Sequence, residues 1–406
     1  MTESERYKHI KKLKDMIISC SGIGDCRIGF RPTVGRFGVC PSYEHSPGFE
    51  PYHARGKLRV LYGILEGTLE PSEELARIFF QCPTCGSCHA ICHQSYDENI
   101  NWFICNYIDH TKAWEAFRAD LVEMGLAMPR HKELIQSIEE NHNPYFEKHE
   151  DRIKWLSGRQ FPEKADTLYY MGCTEPYRLP EYAQKMVEIL DASGIEYTIA
   201  HPDEWCCGSI ALRTGHLKIA KELAEHNVEA IQKKGVKNVV IHCAGCYRTF
   251  VKDYPEILGK ELPFKVYHAT EFFLDLVNQG KLKLTKNINK KLSYHDPCHI
   301  GRAAEIYEPP RELLKKIPGI ELVELKRNRE NAWCCGAGGG VKSAFPELAV
   351  EIAQDRIKEA EEIGVNTIVT ACPFCVRNLR DSAQSLKKNE FNVIDILDLV
   401  TDAIEK

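Results

Sequence analysis

"AWCCGA" (residues 332–337) and "EWCCGS" (residues 204–209) are two copies of one short motif, in which two adjacent cysteines precede a glycine. In both copies one cysteine lies upstream of the pair and a Cys-x-x-Cys motif lies downstream, so the pattern Cys…Cys-Cys…Cys-x-x-Cys occurs twice. A disulfide between adjacent cysteines is strained, and strained disulfides are easily reduced. The repeated pair therefore indicates a duplicated domain whose thiols have a role other than cross-linking.

The segments around these cysteines predict an α/β fold. The apolar run "TLYYMGC" (167–173) matches "KLSYHDPC" (291–298), and "KNVVIHCAGC" (237–246) matches "NTIVTACPFC" (366–375). Helical patterns such as "HLKIAKELAEHNVEAIQKKG" (216–235) alternate with these runs and end at glycine. Alternating strands and helices predict a parallel sheet in each copy. The cysteines then follow the strands, at the carboxyl edge where such sheets build binding sites.

Composition limits the class of protein. The chain has 406 residues and 18 cysteines, and it is long enough to bury proper cores without disulfides. Neither a secretory signal nor a transmembrane segment is visible, so we expect a cytoplasmic protein, where thiols stay reduced and Cys-x-x-Cys pairs indicate metal ligands or redox centres. A net charge of −5 provides no basic face for nucleic acid, which we therefore exclude as a partner.

The number of thiols in each set favours iron over zinc. A structural zinc ion takes four ligands in a closed tetrahedron, whereas each set offers five, including an adjacent pair that does not easily chelate one small ion. Neighbouring thiolates reach different irons of a multi-iron cluster, and the following glycines let the backbone approach it closely. A zinc-structured interaction protein is therefore nearly excluded.

The two cysteine sets resemble the CCG domains of heterodisulfide reductase and its relatives, over about residues 165–406. In that family a complete set of five cysteines is associated with a noncubane [4Fe-4S] cluster. The resemblance implies one such cluster at Cys173, Cys206, Cys207, Cys243 and Cys246, and a second at Cys298, Cys334, Cys335, Cys372 and Cys375.

The N-terminal third contains a further cluster motif. "CPTCGSCHAIC" (82–92) has the C-x2-C-x2-C-x3-C spacing of bacterial ferredoxins, in which the fourth cysteine serves the other of two clusters. This rule assigns one cubane [4Fe-4S] cluster to Cys40, Cys82, Cys85 and Cys88.

A second, weaker motif lies upstream in "CSGIGDCRIGFRPTVGRFGVCP" (20–41), where Ile23 occupies the position of the middle ligand. The second N-terminal cluster then has only Cys20, Cys26 and Cys92, so it needs an outside ligand or is a [3Fe-4S] centre. Cys105, in "NWFICNYIDH", either supplies that ligand or is a core residue.

These motifs predict four regions. An α-helical ferredoxin-like module (1–110) is followed by a helical connector (111–165) and by two duplicated parallel-sheet CCG domains (166–287 and 288–406). The arrangement resembles the two-cluster module fused to CCG domains in the D-type subunit of heterodisulfide reductase. The stretch "HARGKLRVLYGILEG" (53–67) also resembles the iron-sulfur subunits of FAD-linked glycolate and lactate oxidases.

Two functions follow from these resemblances. The first is a catalytic subunit that reduces a disulfide, or oxidises two thiols, at the clusters of Cys207 and Cys335, with electrons from a flavoprotein or a membrane cytochrome b. Through that partner, the chain is expected at the inner face of the membrane. The alternative is an electron-transfer subunit of a glycolate/lactate-type dehydrogenase or of an electron-transfer-flavoprotein:quinone complex. The ten intact cysteines favour the first function, and the "ARGK" stretch favours the second.

Three histidines are adjacent to the predicted cluster ligands. His295 and His299 flank Cys298, and His242 precedes Cys243. Imidazoles at such positions either deliver protons to a new thiolate and hydrogen-bond cluster sulfurs, or pack in the core and orient a loop. We take His295 and His299 as candidate catalytic residues beside Cys207 and Cys335.

Overall fold

The computed structural model describes residues 6–28, 38–92 and 108–405. These residues belong to two compact units, each assembled from three stretches of chain. The first unit comprises Met1–Lys132, Ile210–Leu217 and Lys326–Arg356, and the second comprises Glu133–Ser209, Lys218–Leu325 and Ile357–Lys406. Together they confirm the predicted α/β class with an N-terminal helical module and two parallel sheets.

The N-terminal part of the first unit is built from helices. Two of them begin at side-chain caps, because Ser72 accepts the N–H of Leu75 and Asp109 accepts the N–H of Lys112. The helices up to the middle of the chain are α1 (Lys8–Lys11), α2 (Lys14–Ile18), α3 (Asp25–Ile28), α4 (Pro41–Glu44), α5 (Ala54–Leu65), α6 (Glu73–Phe80), α7 (Ser87–Cys92), α8 (His110–Glu123) and α9 (Pro129–Asn141). Short 3₁₀ segments lie at Glu50–Tyr52 and His149–Leu156.

The first repeat folds in the second unit as a four-stranded parallel sheet. Its strands are β1 (Thr167–Tyr170), β2 (Tyr197–Ile199), β3 (Asn238–Ile241) and β4 (Lys265–His268), in the order β2-β1-β3-β4. In the centre, Leu168 pairs with Val239 and Tyr169 with Val240. All four side chains are fully buried, as expected for a parallel sheet that is covered on both faces.

Short and long helices alternate with these strands. They are α10 (Thr174–Arg178), α11 (Pro180–Ala192), α12 (Ser209–Arg213), α13 (Leu217–Lys233), α14 (Ala244–Arg248), α15 (Tyr254–Leu258) and α16 (Ala269–Asn278). A π-helical turn, Thr249–Asp253, joins α14 to α15.

The second repeat has the same strand order. Its strands are β5 (Lys290–His295), β6 (Ile320–Leu322), β7 (Thr367–Thr370) and β8 (Asn392–Asp395), in the order β6-β5-β7-β8. Its helices are α17 (Glu308–Lys315), α18 (Val341–Ala344), α19 (Pro346–Glu362), α20 (Pro373–Ser385) and α21 (Ile396–Ala403). Because position by position the order is that of the first sheet, the structure confirms the duplication.

Within the second unit the two repeats pack directly against each other. Helix α11 contacts α21, and α16 contacts α17. Tyr182 donates its hydroxyl to Asp398 Oδ2 at 3.2 Å and accepts from Arg380 Nη2 at 2.5 Å, while Lys185 forms an ion pair with Asp398 at 3.0 Å. These contacts hold the two sheets side by side.

Along the part of the chain that the structure describes, no helix is both long and apolar enough to cross a membrane.

Candidate metal centres

The five cysteines of the first set come together in the second unit. Their thiols form a chain of hydrogen-bond contacts that runs from Cys173 through Cys206, Cys207 and Cys246 to Cys243. Four of the five side chains are buried, and Cys243 is partly buried. The structure thus assembles the donors that the repeated motif predicted to act together.

Strand ends and glycines place these thiols. Cys173 follows β1 and is the N-cap of α10, and Cys243 follows β3 and is the N-cap of α14. Gly172 has a φ of 70°, and a Cβ added there would lie 3.0 Å from Cys246 Sγ. Only glycine leaves this room, so the backbone forms a close wall around the thiols.

Hydrogen bonds favour a thiolate at the centre of the set. Contacts with Cys206 and Cys246 hold the pKa of Cys207 well below its ordinary value. The backbone N–H of Ser209 also donates to Cys207 Sγ at 3.5 Å. Because the thiolate is the form that binds a metal, Cys207 is prepared for that role.

A buried ion pair lies beside the same set. Arg152 Nη1 is 3.2 Å from Glu204 Oε1, its Nη2 is 3.8 Å from Cys173 Sγ, and neither charged side chain is exposed. Glu204 also accepts the N–H of Gly172 at 2.8 Å, and burial raises its pKa to about 7. The guanidinium therefore supplies a fixed positive charge next to a predicted thiolate ligand.

The second set repeats these positions but is divided between the two units. Cys298 follows β5 and Cys372, the N-cap of α20, follows β7, both in the second unit. In the same unit a ring nitrogen of His295 and the Sγ of Cys375 lie within 4.8 Å. Cys334 and Cys335 belong to the first unit.

The cysteine pairs of the two sets have the same local geometry. Gly208 N–H donates to Cys206 Sγ at 3.4 Å, and Gly336 N–H donates to Cys334 Sγ at 3.3 Å. The two glycines have φ values of 80° and 81°, which residues with a side chain rarely adopt. The glycine after each Cys-Cys pair is therefore required by the turn that presents the pair.

The two cysteine sets meet within the second unit. Cys243 of the first set forms a hydrogen-bond contact with Cys372 of the second. Beside them His299 Nε2 lies 3.4 Å from Arg248 Nη1, so a histidine of the second repeat contacts an arginine of the first. The carboxyl edges of the two sheets thus share one region lined by thiols and imidazoles.

His242, next to Cys243, is buried between two carboxylates. Its Nδ1 is 3.2 Å from Glu175 Oε1 and its Nε2 is 2.9 Å from Asp395 Oδ1. Burial alone disfavours the imidazolium, but Asp395 and Glu175 outweigh it and raise the pKa of His242 well above its ordinary value. His242 therefore carries a positive charge adjacent to a predicted ligand.

In the first unit, the four cysteines of the predicted first cubane are neighbours. Cys40 is the N-cap of α4, Cys82 and Cys85 lie between α6 and α7, and Cys88 is in α7. The pKa of Cys88 is well above its ordinary value, because burial raises it and because the other three thiols lie nearby. Sequence spacing alone predicted this grouping.

Lys57 is buried against the same cysteines. It is 1% exposed, donates to Tyr52 O at 2.7 Å and interacts electrostatically with Cys82, Cys40 and Cys88. Burial raises the pKa of Cys40 to about 12, and the charge of Lys57 opposes that rise. The ammonium group therefore stabilises negative charge at this site.

Arg118 fixes the loop that carries Cys82. Its Nη2 donates to Phe79 O at 2.5 Å and to Cys82 O at 2.6 Å, and its Nη1 donates to Arg213 O and Gly339 O. The side chain is fully buried, so these carbonyl groups satisfy it in place of water.

The three cysteines of the second N-terminal site also lie in one part of this unit. Cys20 and Cys26 interact with each other, and α3, which contains Cys26, packs against α7, which ends at Cys92. Ile23, at the missing ligand position, is 77% exposed. Cys105 lies outside the described residues, so its role stays a prediction.

Sequence reasoning missed the buried charges that accompany these thiols: Lys57, Arg118 and Arg152. One signal was present for the first two. Lys57 has helical spacing with the apolar Ala54 and Leu61, and Arg118 has it with Trp114 and Leu121. A charge in the apolar stripe of a helix indicates a buried partner.

The donor sets fit iron-sulfur clusters, because soft thiolates converge where the backbone comes close and buried cations offset their charge. A protein-family model for the cysteine-rich domain CCG matches residues 167–251 and 292–380, which are the two repeats. Fold and site together define an iron-sulfur oxidoreductase with two cysteine-rich domains.

Known relatives identify the family. The D-type subunit of dihydromethanophenazine:CoB--CoM heterodisulfide reductase is 38% identical in Methanosarcina barkeri, over 90% of this chain and 91% of that protein, and 38% identical in Methanosarcina acetivorans, over 95% and 93%. EtfAB:quinone oxidoreductase of Syntrophomonas wolfei is 28% identical over 80% of this chain and 46% of that protein. The chain belongs to the family of this heterodisulfide reductase subunit, which confirms the resemblance noted in the sequence.

Proposed function

We propose that the chain is the catalytic subunit of a heterodisulfide reductase-like complex, in which a disulfide is reduced, or two thiols are oxidised, at a pair of noncubane [4Fe-4S] clusters. The contact between Cys243 and Cys372 carries this proposal, because it brings the two cysteine sets into one region. A disulfide has two sulfur atoms, and each needs a centre that accepts it when the S–S bond breaks. Two adjacent clusters meet that need.

The reaction balances as one disulfide plus two electrons and two protons giving two thiols. When bound, the clusters supply single electrons and iron sites for sulfur. The residues of the chain bind the clusters, hold positive charge beside them and supply protons. His295, within 4.8 Å of Cys375 Sγ, and His299, beside Arg248, are the candidate proton donors.

Electrons reach these centres, in this proposal, through the N-terminal clusters. Cys40, Cys82, Cys85 and Cys88 hold one cubane cluster, and Cys20, Cys26 and Cys92 contribute to another, which a missing ligand would make a [3Fe-4S] centre. Relatives are named as subunits, which supports a partner subunit for this chain. We propose a flavoprotein or a membrane cytochrome b, with the chain in the cytoplasm or at the inner face of the membrane.

An iron assay and a turnover assay test the proposal together. Protein purified without oxygen should contain about 16 irons if four [4Fe-4S] clusters are present, and one fewer if one site is a three-iron centre. Reduced viologen should be oxidised only when a disulfide is added, and two thiols should appear for each disulfide consumed. A preparation with all its iron that consumes none of a panel of disulfides, and oxidises no dithiol pair, would contradict catalysis by this chain.

One observation favours a second function, that of an electron-transfer subunit for a flavin-linked dehydrogenase or an electron-transfer-flavoprotein:quinone complex. EtfAB:quinone oxidoreductase shares 28% identity over 80% of this chain. Under this alternative, a reduced flavoprotein should pass electrons through the chain to a quinone analogue, and disulfides should have no effect on the rate. Stopped-flow measurement of quinone reduction, with and without disulfide, separates the two functions.

A further inference from the structure

The second N-terminal site lacks one ligand, and a buried histidine lies where a ligand is needed. The side chain of Ile23, which stands at the expected cysteine position, is 77% exposed and offers no donor atom. His53, at the N-cap of α5, is instead fully buried, and its Nδ1 is 3.9 Å from Cys26 Sγ.

We propose that His53 is the fourth protein ligand of the iron-sulfur cluster at Cys20, Cys26 and Cys92, and that it binds iron through Nδ1. The inference rests on the proposed presence of a cluster at these three cysteines, but not on the disulfide chemistry of the second unit. Cysteine and histidine together are established ligands of biological iron-sulfur clusters.

The hydrogen bond on the other side of the ring selects the tautomer. His53 Nε2 is 3.0 Å from Glu50 Oε2, and a carboxylate accepts hydrogen bonds only. The neutral ring therefore carries its proton on Nε2, which leaves the lone pair of Nδ1 directed at Cys26. Metal-binding histidines usually donate their second nitrogen to a carboxylate in this way. Burial also lowers the pKa of His53, which favours the neutral form that binds metals.

The carboxylate that orients His53 is itself fixed. Arg55 Nη2 donates to Glu50 Oε1 at 3.0 Å and to Oε2 at 2.9 Å, and its Nη1 donates to Gly22 O at 3.2 Å. A Cβ at Gly56 would lie 2.0 Å from Glu50 O, so only glycine lets α5 pack against this turn. Residues 50–56 thus orient the imidazole and also hold the loop between the two upstream cysteines.

The Nδ1 to Sγ distance agrees with two ligands that share one metal ion. A tetrahedral site with metal–sulfur and metal–nitrogen bonds of about 2.3 and 2.0 Å separates these two atoms by roughly 3.5 Å. The observed 3.9 Å is close to that separation and lies at the long end of the range for a hydrogen bond to sulfur. A cluster in which Cys26 and His53 bind the same iron fits the arrangement directly.

Nitrogen hyperfine spectroscopy of the reduced protein tests the ligand. Protein grown with ¹⁵N-histidine and purified without oxygen should show strong nitrogen coupling from a directly bound imidazole. The coupling should vanish in His53→Ala and stay unchanged in His89→Ala. His89 is a matched control because it follows the predicted ligand Cys88, while its Nδ1 contacts the carbonyl of Ile108 at 2.9 Å.

Replacement by cysteine separates ligation from packing. In His53→Cys a thiolate replaces a neutral imidazole, so the cluster should assemble, lose the nitrogen coupling and shift to a lower reduction potential. His53→Ala should instead lose iron from this site. The absence of histidine coupling in the parent protein, or equal iron content and potential in the alanine and cysteine variants, would overturn the proposal. Neither measurement uses a disulfide, so failure here is distinguishable from failure of the proposed catalysis.

Discussion

His242 Nε2 lies 2.9 Å from Asp395 Oδ1, and both side chains are fully buried in the second unit. His242 lies in the strand-to-helix connection of the first repeat next to Cys243, and Asp395 ends β8 of the second repeat. The pair therefore links the two repeats at the same edge where Cys243 contacts Cys372. Because both cysteines are predicted cluster ligands, this link fixes the relative position of the strand ends that carry them.

Replacing Asp395 by Asn should destabilise the pairing of the repeats. The variant keeps a side-chain oxygen that caps α21 through Leu397 N–H, so the change mainly removes the charge that faces His242. We expect a loss of about 1–3 kcal/mol, since a buried charged group loses a partner. Thermal unfolding under anaerobic conditions measures it. Asp191→Asn is the control, because Asp191 pairs with Arg159 at the surface and should cost about 0–1 kcal/mol. Equal losses in both variants would show that the buried pair has no special role.

Replacing Lys57 by Met should lower the reduction potential of the first cubane cluster. A buried positive charge stabilises the reduced, more negative form, so its removal makes reduction harder. We expect a shift on the order of 60 mV, which is a tenfold change for a one-electron couple. Potentiometric titration followed by electron paramagnetic resonance measures it. Lys112→Met removes an exposed lysine and should leave the potential unchanged; a similar shift in both variants would exclude a specific effect of Lys57.

His131 should make the first unit less stable in mild acid. The ring is fully buried, its Nε2 donates to Gly340 O at 3.0 Å, and burial lowers its pKa to about 4. The unfolded chain binds a proton near pH 6.5 and the folded chain does not, so stability falls as the pH drops below that value. Between about pH 7.5 and 5.5 the loss should be about 1.4 kcal/mol for this residue. His131→Gln should lose that much less than the parent over the same interval in urea unfolding; parallel pH profiles would contradict the assignment.

Replacing Cys85 by Ser should interrupt electron delivery while the C-terminal clusters still assemble. Cys85 lies in the first unit, whereas the complete first CCG set lies in the second. The variant should lose about four irons and fail to accept electrons from the partner subunit. Iron analysis and the spectra of the remaining clusters measure the outcome. Loss of every cluster signal would show that the units do not assemble their clusters independently.

The duplicated cysteine pattern was sufficient to predict the fold and to group the thiols of the first CCG set. Repeated spacing places cysteines at equivalent strand ends, as at Cys173 and Cys298, and parallel sheets gather such ends at one edge. The ferredoxin spacing likewise predicted the neighbours of Cys82, because these ligands follow local chain geometry.

The polar groups around the thiols were not predictable in the same way. Arg152 and Glu204 are far apart in sequence and meet only because the backbone near Cys173 brings them together. The link from His242 to Asp395 depends on how two repeats pack, which no pattern within one repeat encodes. The spacing around His53 matches no cluster motif, so the sequence does not distinguish this ring from an ordinary helix cap, and only the fold brings it beside Cys26.

Both CCG sets should be needed for turnover of a disulfide. In the proposed mechanism each cluster accepts one sulfur, so a single remaining centre leaves the second sulfur without an acceptor. Cys207 has the depressed pKa of a prepared thiolate, and Cys335 is its counterpart in the second copy. We therefore expect Cys207→Ala and Cys335→Ala each to abolish disulfide-dependent oxidation of reduced viologen, with the N-terminal clusters still reducible.

The control for this prediction is Ser209→Ala, which keeps the backbone N–H that donates to Cys207 Sγ and should retain activity. An electron-transfer subunit would respond differently, because damage to one set leaves the other to carry electrons. Each variant should be purified without oxygen, its iron counted and its viologen oxidation measured with and without disulfide. If a variant lacks one CCG cluster by spectroscopy and yet reduces disulfide at a rate near that of the parent, the two sets do not act as a pair, and the second function becomes the better account of the chain.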